Sequence, residues 1–97
     1  MILVIGDVTL APGSRDEALA LSRDHVARSR TEPGCISHDV HLHADDPDRI
    51  VFVERWADRA ALDAHFAVAA SRDFARALTA LAAQAPRMDV YETDGGD

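Results

Sequence analysis

The chain has no lysine and no asparagine, a single cysteine, a single tryptophan and a single tyrosine. All ten basic residues are therefore arginine, and Schiff-base catalysis by a lysine side chain is excluded. The lone Cys35 rules out an internal disulfide and fits a reducing, cytoplasmic setting. No apolar run approaches the roughly 20 residues that cross a bilayer. The apolar start, Met1 to Ile5, has no basic segment before it and is broken by Gly6-Asp7, so it does not read as a signal peptide. A net charge of −7 speaks against nucleic acid and anionic membrane as partners. No phosphate-binding loop or dinucleotide fingerprint occurs.

What is present is one domain with an apolar fraction of 47%, near the size at which dimerisation helps a small core. Residues 1–93 read as that domain and 94–97 as a frayed tail. Ile2 to Leu10 alternates loosely and predicts a strand, ended by Ala11-Pro12-Gly13. Ser14-Arg15-Asp16-Glu17 predicts a capping box for a helix to about Arg30. Its inward stripe is Ala18, Leu21, Ser22, His25, Val26 and Ser29. Glu32-Pro33-Gly34 breaks that helix. Strand Cys35–Ala44 follows, with Ile36, His38, Val40 and Leu42 on one face. After the Asp45-Asp46-Pro47-Asp48 turn, strand Arg49–Trp56 puts Ile50, Phe52, Glu54 and Trp56 on one face and Val51 and Val53 on the other. Asp58 caps a second helix with Ala61, Leu62, His65, Phe66 and Ala69 inward, and Ser71 predicts a second cap that restarts it. Arg87–Thr93 predicts a last strand. The order βαββαβ is that of a ferredoxin-like α+β sandwich: a four-stranded antiparallel sheet with helices on one face. The uncovered face carries Val51 and Val53, and a homodimer packed sheet against sheet completes it.

The central hairpin fixes which side chains meet. Paired positions on one face add to an even total, and a turn near residues 46 and 47 makes that total 92 or 94. His38 then faces Glu54 or Trp56. The pair is either an acid–base couple or a structural hydrogen bond between half-buried groups. His25 and His65 lie on inward helix stripes facing the same sheet surface, so three histidines and a tryptophan point into one layer, as in a pocket with polar handles. Asp39, His41 and His43 alternate on the opposite face and read as a polar rim rather than a metal site; a total of 94 would set Asp39 against Arg55. Cys35 reads as a packed hydrophobe, not a nucleophile.

Glu32-Pro33-Gly34-Cys35, Val53-Glu54-Arg55-Trp56, and Leu62-Asp63-Ala64-His65-Phe66 followed by Ser71 and Phe74 resemble the antibiotic biosynthesis monooxygenase superfamily. The resemblance covers nearly the whole chain; its most specific part is the Glu-x-Trp followed nine residues later by His65. It implies a dimeric α+β barrel with a ligand pocket between sheet and helices in each subunit. The members that oxidise anthrones and those that degrade haem pair the tryptophan with an asparagine. This chain has none, and Gly6 stands about where one is expected in the first strand. His38 stands where many members carry tyrosine. The quinol monooxygenase-like group is the match.

The activity implied by the resemblance needs no cofactor and no metal. A small quinol-like or polyketide aromatic is deprotonated, and its anion passes an electron to O₂. Trp56 would line the pocket, one of His65, His38 and His25 would be the base, Glu54 would orient a histidine, and Phe52, Leu21 and Phe66 would form apolar walls. Two other readings stand beside it: a module that shelters a small molecule without chemistry, and an isomerase or cyclase that turns over without oxygen.

Overall fold

The computed structural model describes residues 1–94; Gly95, Gly96 and Asp97 of the expected tail lie outside them. The elements run β1 (Ile2–Thr9), α1 (Arg15–Ser29), β2 (Cys35–Leu42), β3 (Arg49–Trp56), α2 (Arg59–Ala67), α3 (Ala69–Leu81) and β4 (Arg87–Glu92). The strands form one antiparallel sheet in the order β2-β3-β1-β4. This is the expected ferredoxin-like α+β sandwich, with its second crossover split into two helices. Among the described residues no helix is long and apolar enough to cross a membrane.

Period-two patterning explains how the sheet is filled. Ile2, Val4 and Val8 of β1, with Ile50, Phe52 and Trp56 of β3, are buried beneath the helices, where Ala18, Val26, Leu62 and Leu78 meet them. The helices do not reach across β4, so Met88 and Val90, on the same face, stay exposed. Gly34 shows why the Pro-Gly turn before β2 is needed. Its φ is +82°, and a Cβ there would sit 2.4 Å from the Cβ of Ala61. Only glycine takes that backbone and leaves room for α2.

Local expectations fail in three places, each for a physical reason, and one open alternative is decided. Ser14 takes helical dihedrals and its side chain caps nothing, so the capping box does not form; Asp58, extended, does cap, accepting from the Ala61 amide at 2.8 Å. Ser71 does not restart the helix. The break falls at Val68, extended at ψ 126°, and Ser71 is buried in the first turn of α3. A bulge between Cys35 and Ser37 turns Ile36 out to solvent, away from the His38 face. Asp39 pairs not with Arg55 but with Arg30, at 2.8 Å, because the hairpin adopts the total of 92 and sets Val53 opposite Asp39.

Candidate active site

The register places His38 directly opposite Glu54, with Val4 on Glu54's other side. From this row the site is built. α1 contributes His25, and α2 contributes His65 from its last turn. All three imidazoles are buried. Their ring centroids lie 5.2 Å (His25–His38), 5.3 Å (His25–His65) and 5.6 Å (His38–His65) apart. Trp56 packs beside His65 at 4.6 Å and stands edge-on to His38 at 6.2 Å. Phe74 of α3 stacks flat on His25.

The charged groups around the cluster divide into two sets. Glu54 Oε1 accepts the Trp56 indole N–H at 3.0 Å and lies 3.2 Å from His38 Nε2. The approach of His38 is bent, so neither nitrogen of this fully buried ring has a well-directed partner. Burial pushes the Glu54 carboxyl up, but His38, Trp56 and His65 outweigh it and hold the group below the usual carboxylate range. On the far side, Glu32 Oε1 meets His65 Nδ1 at 2.6 Å. Arg28 bridges Glu32 (2.8 Å), His25 Nδ1 (2.8 Å) and the Ser71 hydroxyl (3.2 Å).

A cavity of about 390 Å³ opens between the sheet and α3, within the size range of small-molecule sites. His25, His65, Glu54, Phe52, Phe66 and Phe74 form its walls. Gly6 leaves the space on β1 where a side chain would stand, next to Phe52. His38 and Trp56 lie behind this wall, and Leu21 sits on a separate groove with Asp24 and Ala77. Glu54 orients Trp56 and approaches His38; the residue that holds His65 is Glu32.

Glu32, Arg28, Ser71 and Phe74 were not singled out as site residues by sequence reasoning. One signal was available: positions 25, 28 and 32 are three and four apart, a single helical face carried past the end of α1. The family-like motifs are a second, since they contain Glu32, Ser71 and Phe74, although a serine near a helix start reads first as a cap. Cys35 is a thiol at neutral pH, pushed up by partial burial and by Glu32.

One nitrogen from each imidazole lies within 4.8 Å of the others. Tetrahedral zinc at about 2.0–2.1 Å from each nitrogen would want them roughly 3.4 Å apart. The Arg28 guanidinium meets Nδ1 of His25 at 2.8 Å, which leaves only Nε2 of that ring toward the cluster.

The comparisons with known proteins bear on the fold and the family. An uncharacterised protein of Synechocystis is 33% identical over 91 residues, covering 94% of this chain; the chain spans 62% of that relative's length. A crystal structure described as an antibiotic biosynthesis monooxygenase superposes with a TM-score of 0.90 at 32% identity, covering 97% of this chain and 99% of that one. A Pseudomonas aeruginosa protein superposes with a TM-score of 0.86 at 30% identity, covering 97% and 94%. Residues 1–77 match the family model described as antibiotic biosynthesis monooxygenase, and the chain belongs to that family.

Proposed function

We propose that this chain is a cofactor-independent monooxygenase that oxidises a small quinol-like or polyketide aromatic with O₂, working as a homodimer. The observation that carries this reading is a cavity walled by Phe52, Phe66 and Phe74 and bearing two imidazoles, His25 and His65. Apolar walls accept a flat aromatic and exclude water, and an imidazole removes a phenolic proton near neutral pH. The substrate supplies the electrons. Its anion gives one to O₂, the two radicals combine, and the peroxide loses water to leave a carbonyl. One oxygen atom enters the product and the other leaves as water.

His65 is the base in this reading, and Phe52 and Phe66 hold the ring. Trp56 and His38 support the histidines from behind. The second copy covers the open sheet face, where Leu3, Ile5, Val51 and Val53 lie on the central strands, with Tyr91 on the edge strand β4 and Arg55 and Asp89 among them. The test is oxygen uptake with a dihydroxyaromatic substrate after chelator treatment and without added flavin. His65→Ala should lower kcat by about 10²-fold or more. Turnover that needs no oxygen would point to an isomerase or cyclase. Wild-type rates in both His65→Ala and His38→Ala would leave a sheltering module as the better account.

A further inference from the structure

Arg28 and Glu32 hold the two cavity histidines in opposite senses. Arginine only donates, so its 2.8 Å contact makes His25 Nδ1 an acceptor. A neutral His25 therefore carries its proton on Nε2. Burial first, then His38, His65 and Arg28, push this imidazole down to about 3, so the ring is neutral at working pH and is no base. At His65 the roles reverse. The Glu32 carboxylate, held by Arg28, accepts from Nδ1–H at 2.6 Å and leaves Nε2 with its lone pair. Neither Arg28 nor Glu32 lines the large cavity, whereas both rings do. The arginine and the glutamate grip the Nδ1 edges from behind, and one ion pair fixes both tautomers.

The spacing suits a single atom between the rings. Two hydrogen bonds of about 2.8 Å, bent at one oxygen, span a little under roughly 5 Å. The His25 and His65 ring centroids are 5.3 Å apart, and one nitrogen of each ring lies within 4.8 Å of one nitrogen of the other. We infer that His25 and His65 grip one phenolic or enolic oxygen of the ligand, His65 Nε2 taking its proton and His25 Nε2–H donating to the oxyanion left behind. The bond broken is the ligand O–H and the bond formed is N–H on His65. The new imidazolium is balanced by Glu32, and the new oxyanion meets a donor already in place. No electron moves in this step. Arg28 and Glu32 are positioning residues, and the ligand class is an aromatic with a free, acidic hydroxyl.

This inference rests on the reading of the cavity as an oxygenase site, but its test needs no oxidation. The probe is 4-nitrophenol, whose anion is yellow and whose ring is too electron-poor to be oxidised by O₂. On the wild-type protein, below the pH at which the free probe ionises, the bound probe should be anionic. Its apparent ionisation should fall by about one pH unit or more, a tenfold gain in anion. 4-Nitroanisole, which has no proton to give, should bind at least about tenfold more weakly. His25→Phe and Glu32→Gln should each shrink the anion gain. Nitrogen-detected NMR of wild-type protein should find the proton of His25 on Nε2 and that of His65 on Nδ1. In Arg28→Met the His25 proton should redistribute between its two nitrogens. Reversed tautomers in the wild type, a neutral bound probe, equal binding of the ether or no binding of nitrophenol would each overturn the inference. Oxygen uptake persisting beside any of those results would sink this proton-transfer step alone. An anionic bound nitrophenol with no oxidation of any quinol would sink the oxygenase reading and leave the grip intact.

Discussion

His25 lies flat on Phe74, ring centroids 4.0 Å apart and planes within 9° of parallel. A protonated imidazole would gain from that aromatic face, yet burial and the neighbouring His38, His65 and Arg28 prevail and push His25 down to about 3. In the unfolded chain it titrates near 6.5. The unfolded state therefore binds the proton first, and the contribution is fully present above about 6.5 and lost as pH falls toward 3. Between about pH 7.5 and pH 5 this one group should remove about 2 kcal/mol of stability. The two carboxyls held low, Asp7 and Glu54, titrate below that window. Urea unfolding at several pH values should show the loss, and His25→Phe, which keeps the stack, should flatten it. An equal slope in both proteins would mean that His25 is charged in the fold.

Gly6 controls the volume of the cavity. A Cβ built there meets Phe52 Cβ at 3.4 Å, a tight but tolerable contact, and the rest of a larger side chain would enter the cavity beside Met88. Glycine is a weak strand residue, so Gly6→Leu should leave thermal stability nearly unchanged. Affinity for any aromatic ligand should fall by about tenfold or more, since overpacking costs about 1–3 kcal/mol. Undiminished binding, measured by quenching of the single tryptophan, would place the ligand elsewhere.

Much of this arrangement was legible in the chain, and the misses share a cause. Strand alternation and the parity of hairpin pairing depend only on backbone geometry, so position numbers narrowed the partner of His38 to Glu54 or Trp56, and the register of the fold decides for Glu54. The inward stripes of α1 and α2 brought His25 and His65 to the same layer for a similar reason. What sequence periodicity does not carry is depth within a layer. Trp56 and His38 share a face with Phe52, yet only Phe52 reaches the cavity, because Leu62 and Ile2 close over the Trp56 end. Nor does it carry side-chain reach. Arg28 joins Glu32 to Ser71, 43 positions from it, through a long flexible side chain, and no pattern of apolar residues announces such a bond.

The depth of Trp56 changes what its removal should do. It is fully buried with Ile2, Val4 and Leu62, and its N–H is held by Glu54. Trp56→Ala should cost about 3–5 kcal/mol of stability, visible as a lower urea midpoint, before it costs binding. Trp56→Phe keeps most of the packing but removes a donor that helps hold the Glu54 carboxyl low, so Glu54 should titrate higher by NMR. A stable Trp56→Ala protein with weakened ligand binding would mean that the indole reaches the ligand after all.

The open sheet face gives the last prediction. Leu3, Ile5, Val51 and Val53 on its central strands form an apolar patch, edged by Arg55 and Asp89 and by the ion pairs of Asp7 with Arg49 and Arg30 with Asp39. A second copy brought face to face would bury that patch and leave charge at the rim. Light scattering at micromolar concentration should therefore give twice the 10.5 kDa chain mass. A charge at Val53 should split the pair, and the sign matters. Val53 stands between Ile5 and Asp39 on the neighbouring strands. An aspartate there would repel Asp39 within the same sheet and confuse interface with fold. Val53→Arg finds Asp39 beside it, so the subunit keeps its stability while the dimer pays for two buried guanidinium groups. A monomeric wild type would sink the dimer, and a dimeric Val53→Arg would move the interface to another surface.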